Sequence, residues 1–141
     1  EFRPLYANRR AAELLGFPSV ADLMAQRSLA SMVVADDMPV IASDSNRRLL
    51  AAGRVLPIQA DVLRADGERR TLDSVIRQVQ WDGANAIQAT FIDVTDDLRA
   101  RRRVAQRGSP RRRGAWRRLP LRNVHDVDAI TLTAHDASTS R

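Results

Sequence analysis

Residues 56–93 read LPIQADVLRADGERRTLDSVIRQVQWDGANAIQATFID, and this stretch determines the fold that the sequence predicts. Apolar and polar residues alternate from Leu56 onward, which is typical of a strand with one buried face. Turn signals at 65–67 (ADG) and 82–83 (DG) divide the stretch into three. The predicted strands are residues 56–63, 71–81 and 86–93. They form an antiparallel meander, with Pro57 placing the first strand at a sheet edge.

Short helices are predicted upstream of the meander. Asn8 is a suitable N-cap for a helix that ends at Gly16, where a left-handed C-cap is needed. Ser19 opens a second helix that runs to Gln26. A third helix spans residues 36–53: it begins at the helix-capping pair Asp36 and Asp37 and ends at Gly53. Its apolar face consists of Met38, Ile41, Leu49 and Ala52.

The composition is that of a globular protein, with 44% hydrophobic and 28% charged residues among 141. There is no Cys, which excludes a disulfide framework, thiol catalysis and a zinc–thiolate site. No apolar run is long enough for a membrane span. These features predict a cytoplasmic protein, and the first residue, Glu1, predicts a fragment of a longer chain.

Four segments, taken in order, resemble the PAS family of sensory domains. They are LYANRRAAELLGF (5–17), VVADDMPVI (33–41), RADGERRTLDSVI (64–76) and FIDVTDDLRARRR (91–103). The second segment matches in part, since Val34 and Ala35 stand where the family often has His-Pro. The last segment resembles the family's exit, in which a strand and an Asp-x-Thr motif precede a charged signalling helix.

The resemblance implies an α+β fold: a five-stranded antiparallel sheet with short helices on one face. It also implies that the family's first strand, which normally lies between the second and the fifth, is missing from the N-terminus. Residues 127–134 (VDAITLTA) resemble that strand and are predicted to complete the sheet, within one chain or by a swap between two. The alternatives are the start of a following domain and an unrelated tail.

Three regions follow from this assignment. Residues 1–95 form the PAS-like sensory domain, residues 96–107 the exit helix, and residues 108–141 a basic tail that contains the strand candidate. The charge is divided in the same way, because residues 104–141 hold eight Arg and three Asp, whereas residues 1–103 hold fifteen Arg and fourteen acidic residues.

The resemblance implies a regulatory function: a sensory and dimerisation module of a bacterial signal-transduction protein, which relays ligand or partner state to an output domain. Asp93 and Thr95 are the predicted relay residues, because an Asp at the strand end and a Thr hydroxyl at the helix start can fix the angle between the two elements. The plainer interpretation of both residues is a helix cap.

A ligand pocket is predicted between the helices and the sheet. The candidates for its lining, equally suited to a plain core, are Leu23, Met32, Ile41, Leu49 and Phe91. A ligand there is expected to be small and apolar. Covalently attached flavin is disfavoured because there is no Cys, and haem is disfavoured because residues 36–53 contain no His. Noncovalent flavin and a lipid-like ligand are both compatible with the sequence.

Both faces of the second meander strand carry apolar residues. Leu72 and Ile76 lie on one face, and Val75, Val79 and Trp81 on the other. One face covers the core, so the other predicts a homodimer contact or a flanking helix.

The sequence predicts neither an enzyme nor a metal site. No nucleophile, base and orienting group occur in a recognisable pattern, and the two histidines, His125 and His135, lie in the tail. The alternative function is a basic nucleic-acid-binding module that acts through the Arg-rich tail, around Arg111–Arg113 and Trp116. We disfavour it because no reading helix is recognisable.

Overall fold

The computed structural model describes residues 2–107 and the strand at 130–136. The strands are β1 (Phe2–Ala7), β2 (Leu56–Leu63), β3 (Arg69–Trp81), β4 (Ala84–Asp93) and β5 (Ile130–Asp136). The helices are α1 (Arg9–Leu14), α2 (Val20–Met24), a 3-10 helix (Ala30–Met32), α3 (Met38–Ile41), α4 (Asp44–Ala51) and α5 (Thr95–Arg107). The predicted α+β class is confirmed.

The strands form one antiparallel sheet in the order β1-β5-β4-β3-β2. The predicted meander is confirmed as β2, β3 and β4, with β2 at the edge that Pro57 requires. β5 lies between β1 and β4, and therefore joins the first strand of the chain to the meander. Of the segment predicted as a strand at 127–134, residues 127–129 lie outside the described residues, as do the Arg-rich stretch 111–118 and His125.

The turn between β3 and β4 is shorter than the sequence predicted. Trp81 pairs directly with Ala84, so that Asp82 and Gly83 alone form the loop, and both have positive φ (48° and 79°). This geometry is the two-residue hairpin turn that Asp-Gly favours, because its twist matches that of the flanking strands. Ala84 and Asn85, predicted in the loop, belong to β4.

The first two helices begin at the predicted caps. The Asn8 side chain accepts a hydrogen bond from the Ala11 N–H at 2.8 Å, and the Ser19 hydroxyl accepts from the Asp22 N–H at 3.2 Å. Gly16 follows α1 with a φ of 79°, and a Cβ atom there would lie 3.0 Å from the Arg64 Nε atom. A side chain at position 16 would therefore be both strained and crowded.

The prediction of one helix over residues 36–53 is wrong, because two short helices, α3 and α4, occupy this region. Ser43 lies between them with an extended backbone and caps the second helix, since its hydroxyl accepts the Asn46 N–H. The Asn46 amide group donates in turn to the Val40 carbonyl at 2.8 Å. These side-chain bonds take the place of backbone bonds of a continuous helix.

The core lies between the sheet and the first helices. Leu23 in α2 is fully buried and is the largest such side chain in the described part of the chain. It packs in one cluster with buried residues of β1, α1, the meander and the segments that follow the first two helices, which are Ala7, Ala11, Ala12, Leu15, Leu29, Val62, Leu72 and Phe91. In residues 2–107 and 130–136, no helix has the length and apolar character that crossing a membrane requires.

Candidate functional site

The junction between β4 and α5 is held by hydrogen bonds on both sides of Val94. The Asp93 carboxylate accepts the Thr95 N–H at 2.9 Å, and the Thr95 hydroxyl accepts the Thr71 N–H at 2.8 Å. The Val94 N–H donates to the Thr71 carbonyl at 3.0 Å, which extends the pairing of β3 beyond the end of β4. Thr95 is 5% exposed. The start of α5 is therefore fixed to the start of β3.

Arg70 adds charge to the same junction. Its guanidinium group contacts the carboxylates of Glu68 at 2.7 Å, Asp93 at 3.3 Å and Asp96 at 3.8 Å. The Glu68 hydrogen bond, with help from Asp93, raises the pKa of Arg70, which stays charged at every physiological pH. Because Asp93 is in strand β4 and Asp96 in helix α5, one cation contacts both elements.

Thr71 also connects this junction to the edge strand β2. Its hydroxyl donates to the Asp61 carboxylate at 2.6 Å, and Arg69 donates to the other oxygen of that group at 2.6 Å. The Thr71 hydrogen bond is the main cause that lowers the pKa of Asp61, against the opposing effect of burial. Asp61 is therefore an ionised acceptor at neutral pH.

The Asp61 backbone leads on to the start of α3. Its N–H, which faces outward from the edge strand, donates to the Asp37 carboxylate at 2.8 Å. Asp37 occupies the N-cap position of α3, as predicted, but its side chain makes no hydrogen bond to a helix amide and bonds to the edge strand instead. Four residues thus form one hydrogen-bonded chain from the start of α3 to the start of α5, which we call the edge chain: Asp37, Asp61, Thr71 and Thr95. Two of its three bonds are donated by the backbone N–H groups of Asp61 and Thr71, and the third joins the Thr71 and Asp61 side chains.

An apolar cavity of about 150 Å³ lies between the helices and the inner face of the sheet. Of the five predicted pocket residues, it is lined by Met32, Ile41 and Phe91. Leu23 does not line it, because the first two helices and β1 enclose this side chain in the core. Leu49 is 42% exposed, since the break before α4 turns the neighbouring Leu50 inward instead.

The outer face of β3 carries the three residues predicted for a dimer contact. Val75 is 47% exposed and Trp81 38% exposed, whereas Val79 is half-buried. The Trp81 ring lies 6.0 Å from that of Tyr6, centre to centre, at an angle of 35°. Ile92, also on this face, is 38% exposed. Several large apolar side chains therefore contact solvent on one side of the sheet.

The sequence pointed to Asp93 and Thr95, which do make hydrogen bonds at this junction, whereas their relay role stays a prediction. It did not point to Arg70, Thr71 or the edge chain. Thr71 was predicted at the start of a strand, and it does lie near the start of β3. Its partner Thr95, however, is 24 residues away, and Asp37 and Asp61 are separated by the same number. Nothing local in the sequence indicates such pairs. The Thr residue two positions after Asp93 was the one available signal.

Comparison with known proteins leaves the chain unassigned, since no protein-family model matches it and no curated protein shows significant similarity to it.

Proposed function

We propose that this chain is a PAS-type sensory and dimerisation module of a cytoplasmic bacterial signalling protein, and that it is not an enzyme. It relays the state of a ligand or partner through α5 to an output domain. The observation that carries the proposal is the junction of β4 and α5. There the hydroxyl of Thr95, a buried polar residue, accepts the Thr71 N–H of the sheet.

The position of β5 supports the proposed family. The PAS resemblance implies a central strand between the family's second and fifth strands, which correspond here to β1 and β4. β5 lies between these two strands and is antiparallel to both. In this proposal the C-terminal segment takes the place of the missing first strand, from the same chain or from a second copy.

The cavity is the start of the proposed relay, and the edge chain is the path from the cavity to α5. Met38 and Ile41 of α3 line the cavity, and Asp37 immediately precedes them. A ligand that displaces α3 would change the Asp37–Asp61 bond, and this change would reach Thr95 through Thr71. A hydrogen-bonded path becomes a relay only if its members are energetically coupled, which is a measurable property.

Substituting Thr95 with Val is expected to loosen α5 while the sheet stays folded. The variant leaves the Thr71 N–H without its acceptor, which costs about 1–3 kcal/mol for a buried donor. Amide hydrogen exchange should therefore become about tenfold faster, or more, at Thr71 and in the first turns of α5. Thr90→Val on the outer face of β4 is the matched control. Equal protection of α5 in the two variants would contradict the proposed role of Thr95.

The outer face of the sheet is the proposed dimer contact. Introducing a charge with Val75→Asp should convert dimers to monomers, because an unpaired carboxylate in an apolar contact is costly to desolvate. Val40→Asp is the control, since Val40 is 63% exposed on α3, away from this face. Native mass spectrometry measures the oligomeric state of the parent chain and of the two variants. A monomeric parent chain at high concentration would contradict the dimer.

A further inference from the structure

A second pocket adjoins the apolar cavity described above and differs from it in chemistry. We call the first the inner chamber, because core residues such as Leu72 and Phe91 line it, and the second, which no residue of the core cluster lines, the outer chamber. The inner chamber, of about 150 Å³, is lined by apolar residues, with Ser74 as the one polar side chain among its described residues. Enclosed apolar cavities of roughly this volume accept small hydrocarbons, and this chamber, which is partly open to solvent, presents the same kind of surface. The inner chamber therefore suits a hydrocarbon group and offers almost no partners for polar atoms.

The outer chamber, of about 230 Å³, adjoins the inner one. The two share lining residues from β1, α3 and the meander, namely Phe2, Ile41, Ile58, Ile76 and Ile87. The outer chamber adds two polar side chains from the start of α4, Ser43 and Arg47. An elongated molecule that occupies both chambers along these shared residues would contact apolar side chains at one end and the Arg47 guanidinium group at the other.

Arg47 is available to bind an anion. Its ion pair with Asp44 spans 3.6 Å, and the two side chains are 65% and 78% exposed. Exposed pairs of this kind contribute little and exchange readily. The Ser43 hydroxyl accepts the Asn46 N–H, so its own hydrogen can still be donated to a ligand.

We propose that the cavity binds an unbranched aliphatic carboxylate of medium chain length. The hydrocarbon chain occupies the inner chamber, and the carboxylate lies in the outer chamber, where it accepts hydrogen bonds from Arg47 and Ser43. The assignment of this molecule as the sensed signal rests on the function proposed above, whereas its binding rests on the cavity alone.

The same chemistry argues against flavin. A flavin ring carries carbonyl and ring-nitrogen atoms that lose their hydrogen bonds to water on burial. The inner chamber would leave nearly all of them unpaired, at a cost of about 1–3 kcal/mol for each group. The one cation, Arg47, and the apolar lining of the two chambers instead complement a hydrocarbon chain with one anionic group at its end.

Calorimetric titration of the full chain with hexanoate, octanoate and decanoate, each below its micelle concentration, tests the proposal. Affinity should rise about fourfold with each added methylene group, as burial of that group predicts. Arg47→Gln should weaken decanoate binding about tenfold, because a charge-assisted hydrogen bond is lost. Decanol, which carries no charge, should bind equally well to the parent chain and to this variant.

Arg48→Gln is the matched control, since Arg48 is adjacent in sequence and lines neither chamber. It should leave decanoate affinity within about twofold of the parent value. An equal loss in the two variants would mean general attraction to a basic protein and would overturn the proposal. So would the absence of binding or an affinity independent of chain length.

The outcome for the ligand is separable from the outcome for the relay. If decanoate does not bind but Thr95→Val still loosens α5, the ligand class is wrong and the proposed function stands. If decanoate binds through Arg47 but the protection of α5 does not change on binding, the ligand class is right and the relay is wrong.

Discussion

Replacing Leu23 with Ala should lower the free energy of unfolding by about 2–5 kcal/mol. Leu23 is fully buried among α1, α2 and β1, so the substitution removes buried methyl groups and leaves a cavity that packed neighbours cannot fill. The expected loss is a large share of the total stability of a domain of this size, which is about 5–15 kcal/mol. Urea unfolding followed by circular dichroism measures it.

Leu49→Ala is the matched control, because it makes the same chemical change in another short helix. Leu49 is 42% exposed, and its truncation should cost about 0.5 kcal/mol or less. The two residues were predicted from sequence as equivalent candidates for the pocket lining. Equal losses in the two variants would contradict the placement of Leu23 in the core and of Leu49 at the surface.

Deleting residues 108–141 should abolish cooperative unfolding. The deletion removes β5, whose two neighbours are β1 and β4. Among the described residues, β1 pairs with no other strand, so it would lose all its ladder bonds, and one edge of β4 would become unpaired. Because Ala7 of β1 belongs to the core cluster, loss of β1 would also expose the packing surface of the first helices.

Complementation in trans supplies the control for this deletion. A peptide of residues 128–138 added to the truncated chain should restore the unfolding transition. The same peptide carrying Leu132→Pro should not, since proline removes a ladder donor from a central strand. A truncated chain that unfolds with the free energy of the full chain would contradict the placement of β5.

The part of the fold that could be predicted from sequence is the part with local signals. Strand alternation and the Asp82-Gly83 turn occur within a few residues, and the register of a hairpin follows from them. The helix over 36–53 was predicted wrongly because periodicity does not show that Asn46 bonds to the Val40 carbonyl. With the helix divided in two, Leu50 lines the outer chamber and Leu49 is exposed.

In the candidate site, too, the residues with a local sequence signal could be predicted and those joined only by the tertiary structure could not. Asp93 and Thr95 were predictable because they lie two residues apart at a strand end. Asp37 and Asp61 gave no signal as a pair, since an acidic residue before a helix ordinarily suggests a cap. Their bond depends on a loop returning to the edge strand, which is a property of the tertiary structure.

The most direct test of the account is a double-mutant cycle between the two ends of the edge chain. Amide hydrogen exchange of α5 is measured in the parent chain, in Asp37→Ala, in Thr95→Val and in the double variant. Asp36→Ala serves as the control, because Asp36 is exposed. We predict that Asp37→Ala lowers the protection of α5, that Asp36→Ala does not, and that the two effects in the double variant depart from additivity by about 0.5 kcal/mol or more. An Asp37→Ala variant that leaves α5 unchanged, or effects that simply add, would contradict a relay from the cavity to α5.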